Sequence, residues 1–228
     1  MIVVITGTNT DVGKTIATAA LASAWQAGGA SVRVAKPLQT GEPDGAGDAN
    51  TVDRLTGVST HEYIRFPEPL APNLSARRAG MRVPSLTEVC DWIRALDAEN
   101  GGADDTGSVT LVEGAGGLLV RLADDYTIAD IAAELDAPIV VVTSLGLGSL
   151  NAAELTVREA QRRGVRVAGL IGGMLPADPD LATRLNLEEL PVVTGVDLWA
   201  SIPAGSGALE KDAFAEMACD LGFPAPPQ

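Results

Sequence analysis

Five short, almost uninterrupted apolar runs constrain this chain more than any other feature. They fall near residues 2–6, 32–36, 108–113, 138–144 and 166–172, with a weaker one at 191–195. A strand that reads apolar on both faces must be covered on both faces, which is the condition of a parallel strand between two helical layers. The stretches between them are longer and amphipathic: 14–27, 48–56, 85–98, 127–135, 149–163 and 209–221 read as helices. Such alternation predicts an α/β fold with a doubly wound, mainly parallel sheet and helices on both faces. The chain has 228 residues, 46% of them hydrophobic, which suits a single domain over 1–228 with a proper core. Segment 99–107, rich in Gly, Asp and Asn, reads as a surface loop. The proline-rich tail 223–228 reads as frayed.

Composition removes several classes of function. A formal net charge of −14 and a pI near 4.4 argue against nucleic acid or an anionic membrane as partner, since like charges repel. No apolar run reaches the about 18 residues of a membrane span. The start, Met1-Ile-Val-Val-Ile5, turns polar at Thr6 and reads as a core strand rather than a signal peptide, so a cytoplasmic protein is expected. Cys90 and Cys219 have no metal-binding spacing. The single histidine, His61, lies in a polar stretch that reads as a loop, so neither a Ser-His nor a Cys-His nucleophile is at hand. Arg162, Arg163 and Arg166 read as the solvated end of a helix. Chemistry must therefore come from lysines, carboxylates, hydroxyls, backbone amides and metal.

The first strand runs into Gly7-Thr8-Asn9-Thr10-Asp11-Val12-Gly13-Lys14-Thr15, followed by Ile16 and a helix. Strand, glycine-rich turn, Gly-Lys-Thr and helix start form a phosphate loop. Backbone N–H groups of the turn face the phosphates, Lys14 reaches their outer oxygens, and the Thr15 hydroxyl suits Mg2+. Five residues separate Gly7 from Gly13, one more than the general pattern has. No Asn-Lys-x-Asp guanine motif follows.

Ligands of such sheets gather at the carboxyl ends of the strands. The second strand ends in Lys36-Pro37-Leu38-Gln39-Thr40-Gly41, which sets a lysine and a hydroxyl there. Asp48 follows Gly47 and reads either as a metal ligand or as a helix cap. The third apolar run ends in Glu113-Gly114-Ala115-Gly116-Gly117, a carboxylate where P-loop enzymes hold their second metal-binding acid. Thr15, Asp48 and Glu113 together make a hard-oxygen Mg2+ set. Leu147-Gly148-Ser149-Leu150-Asn151 opens a helix whose free N–H groups can hold a carboxylate, with a simple Ser149 cap as the other reading.

These segments, in this order, resemble the dethiobiotin synthetase family, and the long phosphate loop is similar to that family's own. The resemblance implies a P-loop NTPase-like fold and a homodimer. It implies that 7,8-diaminononanoate takes up CO2 (or bicarbonate) as a carbamate, that ATP with Mg2+ phosphorylates it, and that ring closure gives dethiobiotin, ADP and phosphate. Lys14, Lys36 and Thr10 would be catalytic. Asp11, Val12, Gly13, Thr15 and Ile16 would hold the nucleotide, with Asp48, Glu113, Gly114, Ala115 and Gly116 beside it. Thr10, Lys36, Thr40 and Gly116 would contact the substrate, and Leu150 and Asn151 of the other subunit would take its carboxylate. The base would meet Gly172 and Gly173 on one side and Pro203, Ala204 and Gly205 on the other. An Asn that the family often carries after the fifth strand is replaced here by Ile171-Gly-Gly-Met-Leu175, so weaker discrimination among ATP, CTP and GTP is expected. Lys36→Gln is expected to abolish turnover and leave folding intact. Three rivals remain: a MinD/ParA-like ATPase switch, a cobyrinate-type amidotransferase synthetase, and a noncatalytic nucleotide-binding module. The first carries an extra loop lysine where Thr8 or Asn9 stands, and the second needs a glutaminase part that one histidine cannot furnish.

Overall fold

The computed structural model describes residues 1–42, 46–101 and 107–227. Seven strands are described: β1 (Ile2–Gly7), β2 (Ser31–Thr40), β3 (Ser59–Phe66), β4 (Ser108–Gly117), β5 (Ile139–Thr143), β6 (Val167–Leu175) and β7 (Leu198–Pro203). They form one sheet in the order β3-β2-β4-β1-β5-β6-β7, and every pairing is parallel. β1 is central, with β4 on one side and β5 on the other. Consecutive side chains point to opposite faces. Val3 and Ile5 therefore enter one core with α1 (Lys14–Ala27), α2 (Asp48–Thr56) and α8 (Lys211–Asp220), which contribute Leu21, Val52, Leu55 and Phe214. Val4 enters the other core, under α3 (Pro72–Ala79), α4 (Leu86–Glu99), α5 (Ile128–Glu134), α6 (Ser149–Arg162) and α7 (Leu181–Thr194). The doubly wound expectation holds.

Four local expectations do not. Residues 191–195 are not a strand: Leu181–Thr194 is helical, and Leu198–Pro203 is the seventh strand. The β-branched run after Pro191 misleads, because tertiary packing of Leu190 and Thr194 overrides local propensity. His61 lies in β3, not in a loop, with its Nε2 2.9 Å from the Ser59 hydroxyl. β3 is the edge strand and mostly half-buried, so it lacks the apolar signature of its neighbours. The start of the 99–107 loop is not superficial. Glu99 closes α4, and buried Asn100 donates from Nδ2 to the carbonyls of Ser31 and Val109; residues 102–106 lie outside the described residues. The tail is tied down at its root, where Phe223 packs against the core and Trp25 Nε1 donates to the Pro224 carbonyl over 2.8 Å. No helix among the described residues is long and apolar enough to cross a membrane.

Candidate active site

The carboxyl ends of β1, β2 and β4 open into a cleft of about 720 Å³. The loop between β1 and α1 forms its floor. Two residues there have positive φ, Asp11 at 58° and Gly13 at 91°, and this curls the backbone toward the helix start. Gly13 precedes the first helical residue with no side-chain cap, so the first N–H groups of α1 are left for a ligand. Lys14 folds back so that Nζ donates to the Asn9 carbonyl over 3.0 Å. Its pKa is lowered, first by burial and then by the charge of Lys36.

Lys36 is the centre of the charge network and only 2% exposed. Its Nζ lies 2.5 Å from Asp48 Oδ2 and 3.1 Å from Glu113 Oε1, and it donates to the Gly114 carbonyl over 3.0 Å. Burial opposes its charge, but Glu113 and Asp48 outweigh burial and hold the pKa above its ordinary value. The Thr15 hydroxyl lies 2.8 Å from Asp48 Oδ1 and 3.0 Å from Glu113 Oε1. Asp48 is the first residue of α2 and its carboxylate faces Lys36 and Thr15, so it does not serve as a helix cap. Burial raises the Asp48 pKa, but Lys36 overrides that and lowers it. Burial, with the Asp48 charge added, raises that of Glu113.

These contacts correct the expectation that Lys36→Gln would leave folding intact. Removing one partner of a buried ion pair leaves an uncompensated charge, at a cost of about 3–5 kcal/mol. They also bear on the metal. Glu113 Oε2 is buried and has no hydrogen-bond partner among the described residues. A buried carboxylate oxygen left without a donor, next to a second carboxylate and a hydroxyl, is the environment a hard cation satisfies. Two carboxylates and one hydroxyl leave further positions to phosphate oxygens and water, as Mg2+ prefers.

Thr10, Asp11, Gly13, Thr15, Ile16, Thr40, Ala115 and Gly116 line the cleft as well. Gly116 (φ 69°) sits where a Cβ would come within 2.7 Å of Val120. Pro69, Leu70, Ala71, Pro72 and Val120 form an apolar wall. Val12 is turned into the core. Gly172 and Gly173 are packed rather than open to the cleft. A Cβ on Gly173 would stand 1.7 Å from the Val12 carbonyl oxygen, so this glycine lets β6 touch the phosphate loop. Pro203, Ala204 and Gly205 end the neighbouring strand, where Ala204 N donates to the Leu175 carbonyl. Met174 of β6 reaches the cleft.

Leu150 and Asn151 do not line the cleft of their own chain. The Ser149 hydroxyl does not cap α6; Gly148 stands at the cap position, with φ 92°. Sequence reading missed what shapes this turn. Asn186 of α7 is buried and directs Nδ2 at the carbonyls of Leu145 and Gly146 and at Ser149 Oγ, at 2.9, 2.9 and 3.1 Å. It also missed Gln39 and Arg65, which brace Asp48. Neither residue carries a signal in the sequence, since the groups they hold are mostly main chain.

A glycine-rich loop between β1 and α1, two convergent lysines and a doubly wound parallel sheet define a P-loop NTPase-like α/β protein. Solved structures agree on the fold. The MinC:MinD cell division complex of Aquifex aeolicus is similar with a TM-score of 0.54 at 13% identity, over 97% of this chain and 86% of that one. A ParA family ATPase from Chlorobium tepidum TLS has a TM-score of 0.54 at 16% identity, over 97% and 90%. At such identities the likeness shows fold alone. A family profile described as an AAA domain matches residues 2–207. The ATP-dependent dethiobiotin synthetase BioD of Corynebacterium diphtheriae is 58% identical over 98% of this chain and 97% of that protein. The same-named protein of Rhodococcus jostii is 51% identical over 95% and 92%. The chain belongs to the ATP-dependent dethiobiotin synthetase family.

Proposed function

We propose that the cleft binds ATP and 7,8-diaminononanoate side by side and turns a carbamate of the diamine into the ring of dethiobiotin. The overall activity is ATP-dependent dethiobiotin synthesis in biotin biosynthesis, a ligation that forms C–N bonds. One observation carries the assignment of residues: Lys14, Lys36, Thr15, Asp48 and Glu113 converge where β1, β2 and β4 end.

An amine of the diamine adds to CO2 and loses a proton, giving a carbamate. A carbamate oxygen attacks the γ-phosphorus of ATP, and the bond to ADP breaks. The second amine then attacks the carbamoyl carbon, phosphate leaves, and the cyclic urea closes. Each anionic stage needs fixed positive charge in a site shielded from water, and Lys36 and Lys14 supply it. The loop amides from Asp11 to Ile16 hold the phosphates. Thr15, Asp48 and Glu113 would hold Mg2+, which shields phosphate charge when bound. Thr10, Thr40 and Gly116 stand where the diamine end and its carbamate would lie, and the Pro69–Pro72 wall with Val120 suits the methylene chain.

The carboxylate end points to a second copy of the chain. Leu147 is 95% exposed and Leu155 61%, either side of the start of α6, and apolar exposure of that degree calls for a partner surface. A homodimer would bring Leu150, Asn151 and the free N–H groups of α6 to the neighbour's cleft. The base would rest between Gly172–Met174 and Pro203–Gly205, read by backbone alone. No membrane or nucleic-acid partner is involved, and the enzyme works in the cytoplasm.

The test is ATP hydrolysis by the purified protein. It is expected only when diaminononanoate and bicarbonate are both present, with one dethiobiotin formed per ADP. Hydrolysis indifferent to the diamine would overturn the reading and favour the ATPase-switch class.

A further inference from the structure

Asp48 opens α2, directly after the Gly47 turn, and it contacts two of the most constrained groups in the cleft, Lys36 and Thr15. Something must hold it there, because a carboxylate at a frayed helix start would favour solvent over a buried ammonium. Two side chains outside the charge network do so. Gln39, buried, accepts from the Asp48 backbone N–H over 3.2 Å through Oε1 and donates to the Thr40 carbonyl over 3.0 Å through Nε2. Its register neighbour on the edge strand is Arg65. The Arg65 Nη1 donates to the carbonyls of both Glu42 and Ala46. Its Nε and Nη2 are held by the two carboxylate oxygens of Glu62, at 2.8 and 2.6 Å. Glu42 and Gly47 are shaped to receive that guanidinium. Glu42 has φ 55°, an unusual value for a non-glycine residue, and a Cβ on Gly47 would lie 2.8 Å from Arg65 Nη2.

We propose that Arg65 and Gln39 are positioning residues that fix Asp48 against Lys36 and Thr15, and so set how strongly a divalent cation supports nucleotide binding. The proposal rests on the reading of Thr15, Asp48 and Glu113 as the Mg2+ set. Arg65 touches no reacting group: it grips the two carbonyls that precede Gly47, and Glu62 fixes the angle at which it does so. A surface ion pair alone would be worth little. Here the pair orients a guanidinium whose remaining donors are spent on main chain, which is a use of planar fork geometry that lysine cannot reproduce.

The experiment measures the Kd of a fluorescent N-methylanthraniloyl ATP with and without Mg2+, alongside thermal melting. In the wild type Mg2+ is expected to tighten binding. Arg65→Ala is expected to lose about tenfold of that enhancement, at the low end of what loss of an outer-shell partner costs a metal site. Its KM for the diamine stays within about twofold, because the Arg65 guanidinium donates to Glu62, Glu42 and Ala46 and not to Thr40. Gln39→Ala is expected to lose the enhancement and raise the diamine KM as well, since it releases Asp48 and Thr40 together. In an Asp48→Asn background Arg65→Ala is expected to add nothing, as two changes acting through one group are not additive. Should Arg65→Ala not fold, Arg65→Lys carries the same expectations. Full Mg2+ enhancement in the Arg65 variants, or an equal loss in the Asp48→Asn background, would overturn the proposal. A wild type whose binding ignores Mg2+ would instead overturn the metal assignment itself.

Discussion

The proposed phosphate site and the proposed base site are built in opposite ways. At the phosphate end, polar side chains from two strands and two helices interlock: Lys36 and Thr15 each lie within 2.5 to 3.1 Å of Asp48 and Glu113. At the proposed base site there is mostly main chain. Gly172 and Gly173 bring β6 against the phosphate loop, and Pro203–Gly205 turn away from β7. The first region gains its specificity from charge, and any substitution unbalances the rest. The second depends on shape, and tolerates side-chain change wherever no Cβ intrudes.

Substitutions can break that contrast. Lys36→Gln has the largest expected effect. Turnover should fall by at least about 10²–10³-fold, since a fixed charge on the transferring group is lost, and unfolding should come easier by about 3–5 kcal/mol. Steady-state kinetics and urea titration check the two halves. A fully active variant would remove Lys36 from the mechanism. Next is Gly173→Ala at the other end. The added methyl collides with the Val12 carbonyl and must push the phosphate loop, so a loss of about 1–3 kcal/mol in stability and a clear rise in the KM for ATP are expected. An unchanged KM would show that the loop does not lean on β6. Leu147→Asp probes the exposed turn before α6. It should leave the melting temperature alone, shift sedimentation toward the monomer, and raise the diamine KM on the order of tenfold, about 1.4 kcal/mol.

The smallest effect is on pH. The folded-state pKa of Asp48 lies below its ordinary 3.8, so its contribution is present above that value and is lost as pH falls through the lowered one. That of Lys36 lies above 10.5, so its contribution is present below 10.5 and is lost as pH rises through the raised one. Asp48→Asn should flatten the acid limb of a melting-temperature profile and leave the middle range in shape; an unaltered acid limb would mean that another carboxylate governs it.

Much of this was legible in the linear sequence, and for a physical reason. A strand buried on both faces must be apolar throughout, so β1, β2, β4, β5 and β6 announce themselves, and a lysine or glutamate at the end of such a run stands out. β3 escapes because an edge strand need not be apolar: Ser59-Thr-His-Glu-Tyr-Ile-Arg-Phe66 is half-buried along most of its length. The 191–195 segment deceives because valines and threonine favour strands locally, while Leu190 and Thr194 are held by helical packing. Gln39, Arg65 and Asn186 are invisible for a different reason. Apart from the Arg65–Glu62 pair, their partners are mostly main-chain groups, up to 41 residues away, that carry no side-chain signal.

The central position of β1 has a consequence for the ribosome. Ile2–Gly7 is made well before its hydrogen-bonding neighbours on either side, which are β4, from Ser108, and β5, which ends at Thr143. Until more than half of the chain has emerged, an apolar strand has both edges open and nothing to pair with. The nascent polypeptide must therefore be shielded during that interval, and its tendency to self-associate should fall sharply once residues beyond Thr143 clear the exit tunnel.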